Sequence, residues 1–145
     1  MTIIGVVVFG ILLAICVLHA LWAVGSHFPA PDEAALARMV TGFPGSDRMP
    51  PRAASFGVAL ATLAAGLFGL ALAGIQPFPL PFWLGLLGGI ALSVVFLGRG
   101  FITYTRGWRK LTPEQPFAKL DRQLYGPLCL LLGTGFALLT KGYAS

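Results

Sequence analysis

The chain has 145 residues, of which 57% are hydrophobic and 10% charged, with a mean hydropathy of +0.83. About a quarter of the residues in a soluble domain are charged, so this composition excludes an ordinary soluble fold and indicates a small integral membrane protein. A formal charge of +5 does not indicate nucleic-acid binding, because the basic residues flank apolar runs and do not alternate with aromatics on a surface.

The first predicted element is an apolar helix over 3–24. No Lys or Arg precedes it, and it exceeds the roughly 7–15 apolar residues of a signal peptide, which predicts a retained span. Cleavage after a small residue near Gly25 or Ala30 is the alternative. In the loop 26–52, Pro31-Asp32-Glu33 followed by Ala34, Ala35, Leu36, Met39 and Val40 predicts a short capped helix with an apolar side, suited to lie flat on the membrane surface. Gly42-Phe43-Pro44-Gly45 and Met49-Pro50-Pro51 are turn chemistry leading to the next span.

Between Arg52 and Arg99 lie 46 residues without one Asp, Glu, Lys, Arg or His, about twice what is needed to cross a hydrocarbon core. Two spans are predicted, over 53–75 and 82–104. Their hairpin tip falls at Gln76-Pro77-Phe78-Pro79-Leu80-Pro81, where three prolines in five residues bar a regular helix. The next loop, 105–116, carries Trp108 among Arg106, Arg109 and Lys110, the composition of an interfacial anchor. The last apolar run, 127–140, gives only about 21 Å of helix and cannot cross alone. The fourth span is therefore predicted over 117–140, which brings Asp121 and Tyr125 into the helix and leaves Pro127 as an interior kink.

The expected fold is all-α: a single membrane domain over 1–145, forming a four-helix bundle of two helical hairpins with the N- and C-termini on the same side. Arg38, Arg48 and Arg52 in the first loop, with Arg106, Arg109, Lys110, Lys119 and Arg122 at the third, oppose Lys141 alone, with Arg99 set aside as intramembrane. That bias predicts loops 26–52 and 105–116 in the cytoplasm and both termini outside, in a bacterial inner membrane. Small residues at Gly57, Ala61, Ala65, Gly69 and Ala73, and at Gly85, Gly89 and Ser93, form stripes that allow close helix approach. The second span is expected to pack against the third through them, with homo-oligomerisation as the alternative use.

The embedded polar residues gather toward the cytoplasmic end: His19, Trp22, Arg99, Asp121 and Tyr125. An intramembrane ionisable group is costly unless paired. Arg99 is therefore expected to pair with Asp121, with Tyr125 one turn beyond and His19 joining by a hydrogen bond. The alternative is that Arg99 snorkels to phosphate, Asp121 is solvated in a first helical turn, and His19 only packs. His19 and His27, eight apart on one segment, do not make a haem or metal site. Cys16 and Cys129 fall in apolar runs without metal or redox spacing, and Cys16 with His19 lacks a third group to orient a catalytic pair. With no HExxH, GxSxG, P-loop or dinucleotide fingerprint, no catalytic residue or metal ligand is assigned.

The ordered set His19-x-x-Trp22-x-x-Gly25, Gly42-x-Pro44-Gly45, Met49-Pro50-Pro51, Arg99, Asp121 and Tyr125-Gly126-Pro127-Leu128-Cys129 resembles a family of small bacterial four-helix integral membrane proteins classed as a domain of unknown function. The resemblance covers nearly the whole chain; Ser26 departs from it, standing where a second glycine is expected. It implies the four-span architecture and a shared polar cluster at His19, Trp22, Arg99, Asp121 and Tyr125, and it implies no substrate or cofactor.

The expected function is a non-catalytic membrane protein whose polar pocket binds a lipid, a quinone or a partner membrane subunit, with no nucleic-acid role and the cofactor unknown. One alternative is a small lipid- or isoprenoid-modifying enzyme using His19 or Asp121 as acid/base. Another is a homo-oligomeric small-molecule transporter, against which stands the lack of a charged residue at the bilayer midplane.

Overall fold

The computed structural model describes residues 1–75 and 79–145. Gln76, Pro77 and Phe78, the first half of the expected hairpin tip, lie outside the described residues. Among those described there are helices and no strands: α1 (Thr2–Ala23), α2 (Glu33–Val40), α3 (Arg52–Leu72), α4 (Phe82–Ile102), α5 (Arg106–Leu111), α6 (Phe117–Leu120) and α7 (Gly126–Ala144), with a π-helical turn, Asp121–Tyr125, joining α6 to α7. Among the described residues four helical segments are long and apolar enough to cross a membrane, the fourth running from Phe117 to Ala144. At 22 residues α1 extends about 33 Å.

Local chemistry sets the helix limits. Past Ala23, the Gly25 amide donates to Trp22 O and the Ser26 amide to Leu21 O. This Schellman closure requires the left-handed backbone that Gly25 adopts at φ 92°. Helix α2 starts where Asp32 Oδ1 accepts from the Ala35 amide at 2.8 Å, and α5 where Thr105 Oγ1 accepts from the Trp108 amide. Pro51 and Pro81 precede α3 and α4, where a missing N–H costs nothing.

The helices associate in two pairs, α1 with α3 and α4 with α7. Gly66 lies against Phe9 and Leu12, and Gly5 against Ala73; across the other pair Gly85 meets Tyr143, Gly89 meets Thr140, Gly133 meets Leu97 and Gly100 meets Leu130. Backbones approach closely because these glycines carry no side chain to hold them apart. The expected packing of the second span on the third is therefore corrected: α3 turns Gly66 and Gly69 to α1, and α4 turns Gly85 and Gly89 to α7. Along α3 the buried small positions are Ser55, Ala59, Ala65, Gly66 and Gly69, while Gly57 and Ala61 are exposed. A four-residue stripe drifts around a helix of 3.6 residues per turn, so its ends cannot share one partner.

The two pairs meet through α7. Phe136, fully buried, stacks on Phe96 at 5.7 Å and touches Gly69, while Gly135 faces Val8. Val8, Leu12, Ala65, Leu72, Leu132, Phe136 and Leu139 form the core. Many large apolar residues, Ile3, Val94 and Val95 among them, remain exposed, as on a surface that faces lipid.

At one end Met1 packs on Gly142, and the Tyr143 hydroxyl donates to Leu80 O at 2.6 Å. The polar connections fold over the opposite end. There α2 buries Leu36 and Ala37 and packs on α6, so part of its apolar side is covered by the chain itself. The Glu114 amide donates to Gly42 O at 3.1 Å, and Gly42, at φ 73°, leaves room for the Phe117 ring. In the fourth span the expected interior kink at Pro127 takes the form of the π turn just before it. The Gly126 amide reaches back to Asp121 O, five residues away. Pro127 has no N–H to continue the α ladder and crowds the preceding turn, and the wider turn relieves that crowding.

Candidate functional site

The wide turn at the head of α7 faces the last turns of α4. There Arg99 Nη2 donates to Asp121 Oδ1 at 2.6 Å, and Nη1 donates to Thr103 Oγ1 at 2.6 Å. The second carboxylate oxygen of Asp121 accepts from Trp108 Nε1 at 2.9 Å. The Trp108 ring also lies against the Arg99 guanidinium, 5.1 Å from its centroid, a cation–π arrangement that fixes the plane of the fork. The side chain of Asp121 is 3% exposed and that of Arg99 33%. A buried carboxylate is tolerable here because both oxygens have donors and the charge is matched.

The residues singled out in the sequence do not form a single cluster. Arg99 and Asp121 are joined. Tyr125 stands one turn on, but its hydroxyl donates to Met39 O at 3.1 Å and its ring packs on Phe117, so it ties the α2 connection to α7. His19 and Trp22 belong to a different place: His19 Nδ1 is 2.9 Å from Ile15 O, the two rings lie 4.6 Å apart, and Trp22 Nε1 donates to Phe28 O. The expected hydrogen bond from His19 to the pair is absent because α1 pairs with α3, whereas Arg99 and Asp121 belong to the α4–α7 pair.

Two members of the cluster were not anticipated from sequence. Thr103 lies one turn beyond Arg99, a spacing that places the two on one helix face. Trp108 read as an interfacial anchor, and only the fold of α5 turns its indole onto Asp121.

Among the described residues, three cavities stand out at this end. The largest of the three, about 530 Å³, lies between the α2 connection and the Arg99 cluster, bordered by Phe43, Arg48, Met49, Arg99, Trp108 and Phe117. A second, of about 220 Å³, lies behind Trp108 and includes Arg109, Gln115, Asp121 and Arg122. A third, of about 90 Å³, lies beside Trp22, with Glu33, Arg52 and Ser55. Among the described residues no three His, Cys, Asp or Glu side chains converge to hold a metal ion.

The family model described as "Protein of unknown function (DUF3995)" matches residues 12–136, a stretch that contains every residue of the Arg99 cluster. No curated protein and no solved structure matches the chain.

Proposed function

We propose that this chain, which belongs to the DUF3995 family of proteins of unknown function, is a non-catalytic protein of the bacterial inner membrane that binds an amphiphilic ligand, a lipid or a quinone, in the cavity beside Arg99. It crosses the bilayer four times as two helical hairpins, with both termini outside and the polar connections in the cytosol. The lengths and apolarity of the four helices support the crossings. Eight Lys and Arg residues in the polar connections against Lys141 alone at the other end support the orientation.

One observation carries the reading. Arg99 is fixed by Asp121, Thr103 and Trp108, yet its side chain is a third exposed and lines a cavity whose other walls include Phe43, Met49 and Phe117. A polar fork at the edge of an apolar hollow suits a molecule with a polar head and a greasy body. At about 530 Å³ the hollow takes a head and its first carbons; the remainder of the ligand lies along the helices in the bilayer.

Native mass spectrometry of the protein extracted in mild detergent tests this. A retained small amphiphile is expected from the wild-type chain, and its loss from Arg99→Ala that still folds. A wild-type chain that emerges empty, or bound only to another polypeptide, refutes the reading.

A further inference from the structure

The cavity beside Arg99 is electrically one-sided. Of the other two, one has Glu33 with Arg52 and the other has Asp121 with Arg109 and Arg122. The largest has two arginines on its wall, Arg48 and Arg99, and no carboxylate. Arg48 comes from the turns between α2 and α3, is exposed, and forms no ion pair among the described residues. Arg99 commits one N–H to Thr103 and one to Asp121, which leaves three of the five N–H donors of its fork unassigned. Thr41 and Ser46, also on the wall, donate their hydroxyl hydrogens to Ala37 O and Phe43 O, so they offer a ligand only lone pairs. The donors and the positive charge that a ligand meets therefore come from the two arginines.

We infer that the cavity holds the phosphate of an anionic lipid, with Arg48 and Arg99 engaging its oxygens and Phe43, Met49 and Phe117 covering the first carbons attached to it. The inference rests on the amphiphile reading above and narrows it to a phosphate-bearing head. Guanidinium forks match phosphate oxygens in pairs, a geometry that neutral quinone carbonyls do not exploit. Asp121 pairs with Arg99 and Arg48 has no ion-pair partner among the described residues; the nearby carboxylates of Glu33 and Glu114 accept from the Met49 and Gly45 amides and do not line the cavity, so an anionic phosphate is the partner that both forks can share. The apolar wall favours a phosphate carried on a lipid over one free in solution.

Phosphatidic acid and diacylglycerol with the same acyl chains differ by the phosphate alone, which makes them the probes. They are titrated against the full-length protein in neutral detergent and followed by native mass spectrometry, with glycerol 3-phosphate as the soluble phosphate. Phosphatidic acid is expected to bind at least tenfold more tightly than diacylglycerol. Arg48→Ala reduces that preference by roughly tenfold, the scale of one lost charge-assisted partner. Lys119→Ala, which removes an exposed cation off the cavity wall, leaves it unchanged. Arg48→Glu abolishes binding while the melting temperature stays that of the wild type. Equal binding of the two lipids, lost in Arg99→Ala but indifferent to Arg48, overturns the phosphate assignment and leaves the amphiphile reading standing. Glycerol 3-phosphate binding as tightly as phosphatidic acid overturns the lipid source. A protein that binds none of the probes and carries no amphiphile of its own overturns both readings.

Discussion

Arg99 and Asp121 are best tested by removing them singly and together, as Arg99→Met, Asp121→Asn and the double variant. The two ends of the pair sit in unlike surroundings: the Asp121 side chain is 3% exposed, that of Arg99 33%. Taking away Arg99 leaves a buried carboxylate with the Trp108 indole as its remaining donor. Breaking a buried pair from that side costs about 3–5 kcal/mol. Taking away the charge of Asp121 is milder, because Arg99 already reaches the cavity and can turn its fork to water or phosphate. The amide of the variant still accepts from Trp108, so the loss is about 1–3 kcal/mol. In the double variant neither group is stranded, and the combined loss should fall short of the sum by about 1.5–3 kcal/mol. Unfolding of each variant in mixed micelles, followed by tryptophan fluorescence, supplies the four free energies. A coupling below about 0.5 kcal/mol means that the two side chains act independently. A larger loss from Asp121→Asn than from Arg99→Met would mean that the burial difference has been misread.

Three further outcomes follow from the packing and the topology. Gly89→Leu and Gly133→Leu drive a side chain into Thr140 and Leu97 and should prevent folding in detergent, whereas Gly57→Leu, with nothing within 4 Å, should melt near the wild-type temperature. Trp108→Phe keeps an aromatic face over Arg99 but removes the donor to Asp121 Oδ2, costing about 1.5–3 kcal/mol in the same unfolding assay. In a chain whose two native cysteines are replaced by alanine, Ser46→Cys should react with an impermeant maleimide only after the inner face is exposed, and Ser145→Cys in intact spheroplasts; the reverse pattern would invert the proposed orientation.

The helices were legible because apolarity over a long run and proline at its edges are local signals. Pro51 and Pro81 lie directly before α3 and α4, and the fourth membrane-length segment starts at Phe117 with α6, where length alone demanded it. The contact between Arg99 and Asp121 was legible for a similar reason, since a charge inside a span needs a partner and few exist. Partner choice between helices was not legible. The stripes on α3 and α4 advertise close packing without saying on what, and adjacency in sequence pointed to each other when the actual partners are α1 and α7. His19 was misplaced by that same gap: depth along a span says nothing about which pair a residue belongs to. The contact of Trp108 depends on how α5 redirects the chain, which no residue pattern announces; Pro127 announced a distortion but not its π form.

The cavity beside Arg99 belongs to neither helix pair alone. Phe43 and Arg48 come from the connection between α1 and α3, while Arg99, Trp108 and Phe117 come from α4 and the segments after it. Within the bundle the pairs are joined by Phe136 against Gly69 and by Gly135 against Val8; at the polar end they are joined by Tyr125 to Met39 and Glu114 to Gly42. The inner ties run through glycine, so the spacing of the pairs is set by backbone and not by adaptable side chains. A phosphate spanning Arg48 and Arg99 would add one more tie across the same seam, and it could do so only in the folded chain. Such a ligand stabilises by mass action, about 2.7 kcal/mol at a hundredfold excess over its Kd. Phosphatidic acid should therefore raise the melting temperature of the wild type with concentration and do so much less for Arg48→Ala, whereas an equal rise in both would place the lipid elsewhere on the surface.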